Sequence, residues 1–156
     1  MSESEALRRF RFQRPVKVVF RDIDGMRHAN HAAYVTYFES ARNEYWMLVT
    51  GITTVEDFDF VLAELTVRFQ AAAKLGDELI VGIRTTELRR SSFLMEGVIV
   101  DSRTGKLMAE AHSAQVMYDY ATDRSIPISD ERRRQVEEFE GKKLTVEHKK
   151  IHESRL

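Results

Sequence analysis

Between Asn30 and Val49 the apolar residues Tyr34, Tyr37, Phe38, Ala41, Tyr45 and Leu48 recur at steps of three and four. That period places them on one face of a helix about five turns long. Asn30 suits the N-cap, because its side-chain oxygen can take a free amide of the first turn, and Gly51 suits the stop. The tyrosines and Phe38 make the face bulky, which fits it for packing on a broad sheet. The lone Trp46 is a core or interface residue.

Elsewhere the pattern is extended. PVKVVFR (15–21) reads as a first strand from its β-branched and aromatic residues. Segments 60–70, 78–88, 91–100 and 106–119 follow as further strands. Alternation is clear at Leu79, Val81 and Ile83, and again at Leu107, Ala109 and Ala111. Gly76-Asp77, Arg89-Arg90 and the run from Asp101 to Gly105 supply turns. Turns this short join antiparallel neighbours, because a parallel crossover needs about a dozen residues or more. Ser129-Asp130-Glu131 opens a second helix, with acids at its positive end, that runs to about Glu140 before Gly141. Residues 141–156 (GKKLTVEHKKIHESRL) read as a polar, basic tail that is mobile or docked on a partner.

The order is strand, long helix, four strands, short helix. It predicts an α+β fold in which about five antiparallel strands curl around one long central helix, as a single domain over residues 1–140. Such a sheet leaves an edge strand open. An open edge invites a second copy, most often in a symmetric dimer.

Composition narrows the class. With 43% apolar and 31% charged residues the chain of 156 residues is globular rather than disordered. No apolar run approaches the roughly 20 residues that span a bilayer, and MSESEALRRFRFQRP lacks the apolar core of a secretory signal. There is no cysteine, which excludes disulfides, a thiolate zinc site and a cysteine nucleophile, and suits a reducing cytoplasm. The 24 basic and 25 acidic residues balance to a net charge of −1, so charge makes no case for nucleic acid as a partner.

Ionisable chemistry concentrates just before the long helix, in DIDGMRHANH (22–31). Asp24 follows the first strand. A carboxylate there can act as base or nucleophile while the first amides of the helix receive developing negative charge, an arrangement suited to acyl transfer. Asp24 before Gly25 also fits a plain turn. Asp22 is expected to be a structural hydrogen-bonding partner. His28 is an orienting or substrate-contacting candidate, and a metal reading of His28 and His31 lacks a third and fourth ligand. His112 reads as a packed strand histidine. Glu39 is a second candidate base, but with Arg42 three residues on along the helix it is expected to form a structural ion pair. No glycine-rich phosphate loop, GxSxG, HExxH or CxxC is present.

Asp22, Asp24, His28, Asn30, Tyr34, Phe38, Glu39 and Arg42 together resemble the signature of the hotdog-fold acyl-CoA thioesterases, in the 4-hydroxybenzoyl-CoA thioesterase-like family. The resemblance continues through AELTVRFQAAAKLGDELIV, RRSSFLMEGVIV, AEAHSAQVMYD and IPISD, over about residues 15 to 135. It implies hydrolysis of an acyl-CoA to a carboxylic acid and free CoA, with no cofactor beyond the CoA of the substrate. It implies that Asp24 is the catalytic carboxylate, attacking the thioester or activating water. It implies that the backbone N–H of His31 polarises the thioester oxygen. Tyr34 would line the acyl pocket, with His28 and Asn30 beside the substrate. Lys74, Arg89, Arg90 and Ser91 would contact the CoA moiety. The resemblance further implies an active site shared across a homodimer, often assembled into a homotetramer. The cytoplasm is the expected location, and an acyl-carrier protein is a further candidate partner beside CoA.

Two residues depart from the signature. Arg27 stands where glycine is usual, and His31 where a second Asn is usual. Two other readings remain, a hotdog-fold enoyl-CoA hydratase or dehydratase and a non-catalytic acyl-CoA or acyl-carrier binding module.

Overall fold

The computed structural model describes residues 4–146. Ten of the sixteen residues in the tail segment, 147–156, lie outside the described residues. Strand β1 (Phe12–Lys17) leads through a short 3-10 turn (Phe20–Asp22) to helix α1 (His31–Thr50). Strands β2 (Phe60–Phe69), β3 (Glu78–Leu88), β4 (Ser92–Asp101) and β5 (Leu107–Asp119) follow, then a two-residue strand β6 (Arg124–Ser125) and helix α2 (Asp130–Glu140). The sheet order is β1-β3-β4-β5-β2 with every pair antiparallel, and β6 extends β5 locally. A curled antiparallel sheet on one long helix, with a short C-terminal helix, is the hotdog arrangement that the sequence predicts.

Both helices begin and end where capping chemistry dictates. The Asn30 side chain accepts from the Ala33 amide at 2.8 Å, and Gly51 closes α1 in the left-handed region at φ 78°. Ser129 accepts from the Arg132 amide at 3.1 Å, and Gly141 closes α2 at φ 73°.

The helix face differs in detail from the sequence pattern. Tyr34, Tyr37, Phe38, Ala41 and Tyr45 are buried as expected, but Leu48 is 62% exposed. Trp46 takes the core position instead, stacked on Phe93 at 4.9 Å with Phe60 at its edge. The 3.6-residue period carries the buried stripe from Arg42 to Trp46 and past Leu48. Trp46 Nε1 donates to Asp59 Oδ1 at 2.8 Å, and Arg132 Nε donates to the other oxygen of Asp59 at 2.9 Å, so one carboxylate ties α1 to α2. Phe38 needs a bare backbone opposite it. A Cβ at Gly97 of β4 would stand 2.8 Å from its ring.

The first strand lies earlier than its composition suggests, at 12–17 rather than 15–21. Val18 is buried but leaves the ladder for the β2–β3 link, donating to Asp77 O at 2.9 Å and accepting from Gly76 N at 3.0 Å. Pro15 is tolerated because β1 is an edge strand. Ahead of β1, Leu7 and Phe10 fold onto the outer face of the sheet with Val98 and Val100. Gly82 makes room for this, since a Cβ there would meet Phe10 at 2.8 Å. At the other end Leu144 is buried, and the Val146 amide donates to Leu88 O at 3.0 Å.

Candidate active site

The junction between β1 and α1 is a tight hairpin held by main-chain bonds. Ile23 bridges Ala29, the Asp24 amide donates to His28 O at 3.2 Å, and the Arg27 amide donates to Asp24 O at 2.9 Å. Closing this turn forces Arg27 to φ 66°, a left-handed conformation that glycine adopts without strain. The Ala29 amide then donates to Ala73 O at 2.8 Å, which docks the hairpin on the β2–β3 link.

The two aspartates part company here. Asp22 Oδ2 accepts from the Val19 amide at 3.0 Å and from the Tyr37 hydroxyl at 2.7 Å, and its carbonyl accepts from the Asn30 amide at 2.9 Å. It is a structural residue, as expected. Burial first, and then its bond to Asp22, push the Tyr37 hydroxyl well above the usual phenol range. Asp24 is exposed and faces a cleft. Its Oδ1 is held by the Met26 amide at 2.8 Å, which orients the carboxylate and leaves the second oxygen for other chemistry.

That cleft has a volume of about 640 Å³. It brings together Asp24, His28, Asn30, His31 and Tyr34, with Phe69 to Ala72 on the opposite wall. Of the first three helical amides, that of Ala33 goes to the Asn30 cap, while those of His31 and Ala32 take no partner among the described residues. The exposed His31 ring stacks on Phe69. Tyr34 is buried and locked, since its hydroxyl donates to Ala71 O at 2.9 Å and accepts from Ala73 N at 2.9 Å. Burial raises its pKa above the usual value. The cleft therefore offers an oriented carboxylate, open helix-start amides and an apolar wall, which together can polarise and attack a carbonyl.

Lys74 lies just beyond the cleft wall in the β2–β3 link, where its amide donates to Asp77 Oδ2 at 2.8 Å. Arg89, Arg90 and Ser91 are not brought to this cleft. They form the β3–β4 turn at the far end of an 11-residue strand, roughly 35 Å long. Arg89 pairs there with Glu87 at 3.0 Å, and its carbonyl accepts from Arg133 at 2.6 Å. Glu39 and Arg42 form no ion pair. Arg42 is buried on α1, and its pKa is lowered by desolvation, against which the charge of Glu39 works. Among the described residues no three His, Asp or Glu side chains converge as a metal-ligand set.

Met26, Phe69, Gln70, Ala71 and Ala72 escape sequence reasoning as cleft residues. The only local signal is the run of small residues Ala71 to Ala73 before Gly76, which lets the link pass close under Tyr34.

Fold and cleft define a protein of the hotdog thioesterase class. A profile of the thioesterase-like superfamily matches residues 18–136, and the chain belongs to that superfamily. It is 35% identical over 89 residues to the acyl-CoA thioesterase YbgC of Haemophilus influenzae, a match spanning 54% of this chain and 65% of that protein. It is 31% identical over 111 residues to the acyl-CoA thioester hydrolase YbgC of Escherichia coli O6:H1, spanning 69% and 82%. A thioesterase from Thermus thermophilus, solved with coenzyme A and zinc, superposes with a TM-score of 0.79 at 31% identity, covering 86% of this chain and 98% of that one.

Proposed function

We propose that the chain hydrolyses acyl-CoA thioesters to a carboxylic acid and free CoA. The observation that carries this reading is the pairing of Asp24 with the open amides of α1 across one cleft. The thioester carbonyl sits between them, its oxygen toward the His31 amide. Asp24 adds to the carbonyl carbon or draws a proton from water that adds there. Where Asp24 adds, the C–S bond breaks to leave a mixed anhydride and the CoA thiolate; water then hydrolyses the anhydride to the carboxylic acid and free Asp24, and the proton this releases goes to the thiolate. Where water adds, the adduct expels the thiolate, which takes the proton that Asp24 drew. The growing oxyanion is met by a donor already in place. His28, Asn30 and Tyr34 bound the reacting group, and the reaction needs no resident cofactor.

The unit is a homodimer. The Arg89–Ser91 turn lies too far from its own Asp24 to serve it, but would reach the cleft of a partner, as would Lys74 at the rim. Strand β2 supplies a free edge for that pairing, with Leu62 and Phe69 exposed along it. Two such dimers would make a homotetramer. An acyl-carrier thioester is a second candidate substrate form. The lack of cysteine suits work in a reducing cytoplasm.

Thiol release from short, long, branched and aromatic acyl-CoAs, for wild type beside Asp24→Asn, tests the reading. Release by wild type that falls about a hundredfold or more in the variant is the expected result. Equal release by both removes Asp24 from the chemistry. Hydration of an enoyl-CoA without thiol release, or tight binding without turnover, overturns the hydrolase reading.

A further inference from the structure

A second groove, of about 450 Å³, runs along the other side of the start of α1. It lies between β1 with its following turn and the helix, and it shares Asn30 with the cleft. Three cationic side chains line it, Arg14, Lys17 and Arg21, in a chain whose net charge is −1. The acid in its wall, Asp22, is already committed to the Val19 amide and the Tyr37 hydroxyl. Arg14 is tied through Nε to Glu44 at 2.8 Å, which fixes the side chain while its terminal nitrogens stay available. Lys17 stands opposite Glu78 in the β1–β3 register, yet no ion pair joins them. Among the described residues neither Lys17 nor Arg21 has an acidic partner. Asn30 uses its oxygen for the cap and keeps its two amide protons as donors between groove and cleft.

We propose that this groove is a phosphate subsite that holds the nucleotide phosphates of coenzyme A while the acyl end lies in the adjoining cleft. The proposal rests on the thioesterase reading and extends it. Three cationic side chains against one lining acid, whose oxygen is occupied by the Val19 amide and the Tyr37 hydroxyl, favour a multiply charged anion, and guanidinium groups match phosphate oxygens in geometry. The groove belongs to the same chain as its cleft, whereas the Arg89–Ser91 turn serves only a partner's cleft. The phosphates of one ligand thus have two cationic anchors, one from each copy.

The test uses the full chain and the variants Lys17→Met/Arg21→Gln and Lys17→Glu/Arg21→Glu, with Arg89→Ala/Arg90→Ala as comparison. Binding of free CoA, dephospho-CoA and pantetheine is measured by calorimetry. Hydrolysis of a CoA ester is measured beside that of the matching pantetheine ester. The expected Kd for CoA rises about tenfold for each charge removed and further on charge reversal, with a shallower salt dependence. The ratio of kcat/KM for the CoA ester over the pantetheine ester falls in step. An unchanged Kd for CoA in both groove variants, or a loss confined to an acyl-carrier-protein ester, overturns the proposal. A wild type that binds CoA through Lys17 and Arg21 but releases no thiol sinks the thioesterase reading and leaves the groove standing. A wild type that hydrolyses while its CoA affinity ignores both residues sinks the groove alone.

Discussion

The imidazole of His31 lies face to face on the ring of Phe69, with centroids 3.8 Å apart and 11° between the planes. The first residue of α1 is thereby joined to the last residue of the edge strand β2. Tyr34 meets the same Phe69 ring edge-on at 5.5 Å. Phe69→Ala removes both contacts from one wall of the cleft and is expected to cost about 1–2 kcal/mol, given that the ring is already partly exposed. A denaturant midpoint that does not move would show that the three rings do not cooperate. KM across an acyl-CoA panel should rise most for the groups that touch the ring.

The side chain and the amide of His31 can be separated. His31→Ala keeps the N–H and loses the stack. His31→Pro removes the N–H at a position where helices accept proline, and Asn30 before it already has the extended conformation that proline requires, φ −68° and ψ 162°. A folded His31→Pro protein should lose about a hundredfold or more in kcat, and His31→Ala far less. Similar losses in the two would assign the effect to the ring.

Tyr34→Phe deletes one oxygen and strands two main-chain groups, the carbonyl of Ala71 and the buried amide of Ala73. Leaving such groups unmet costs about 1–3 kcal/mol. Amide exchange over 71–73 should quicken at the same time, because the link loses its tether to α1. Stability equal to wild type would mean that water replaces the hydroxyl.

Arg27→Gly is expected to stabilise. A left-handed residue other than glycine costs about 1–2 kcal/mol, and glycine gives back roughly 0.5–1 kcal/mol through its looser unfolded chain. A net gain of about 0.5–1 kcal/mol in thermal or chemical unfolding follows. A loss would mean that the Arg27 side chain holds the hairpin by contacts of its own.

Glu140 is buried at the end of α2, with the Tyr45 hydroxyl 3.5 Å from its Oε2. Burial is the largest influence on it and lifts its pKa above the ordinary 4.5, against the pull of the Thr85 main chain and nearby Arg84. A carboxyl with a raised folded-state pKa binds its proton more tightly in the fold. The stability it adds is complete below the unfolded value and fades as pH rises through the folded one. Glu140→Gln should therefore unfold at higher temperature than wild type at about pH 8, with the gap shrinking toward about pH 4. A gap that is constant across that range would exclude ionisation as its cause.

Much of this architecture was legible because its signals are local. Asn30, Gly51, Ser129 and Gly141 mark helix ends through bonds to residues at most four positions away. Asp24, His28, Asn30, His31 and Tyr34 share a cleft because they share one hairpin and one helical turn. What was not legible depends on distant chain. Val18 and Val19 look like strand, but the β2–β3 link takes the bonds of Val18, and β3 pairs with residues 12–17 instead. Arg42 and Glu39 have the spacing of an ion pair, but burial of one and exposure of the other separate them. Phe69 enters the cleft only because β2 ends beside the start of α1.

The Phe10 ring, seated on Gly82, has two guanidinium groups near it, those of Arg9 and Arg84, each 5.5 Å from its centre. Arg84 also pairs with Glu96 at 2.6 Å, so its charge is balanced on the sheet itself, and what the N-terminal residues add is cover: Leu7 and Phe10 lie over Val98 and Val100 of β4. Without that cover, Val98 and Val100 would stand as an apolar patch on the outside of the sheet. The opening residues of the chain thus act as a lid on the sheet's outer side, hiding a patch that would otherwise invite unwanted association.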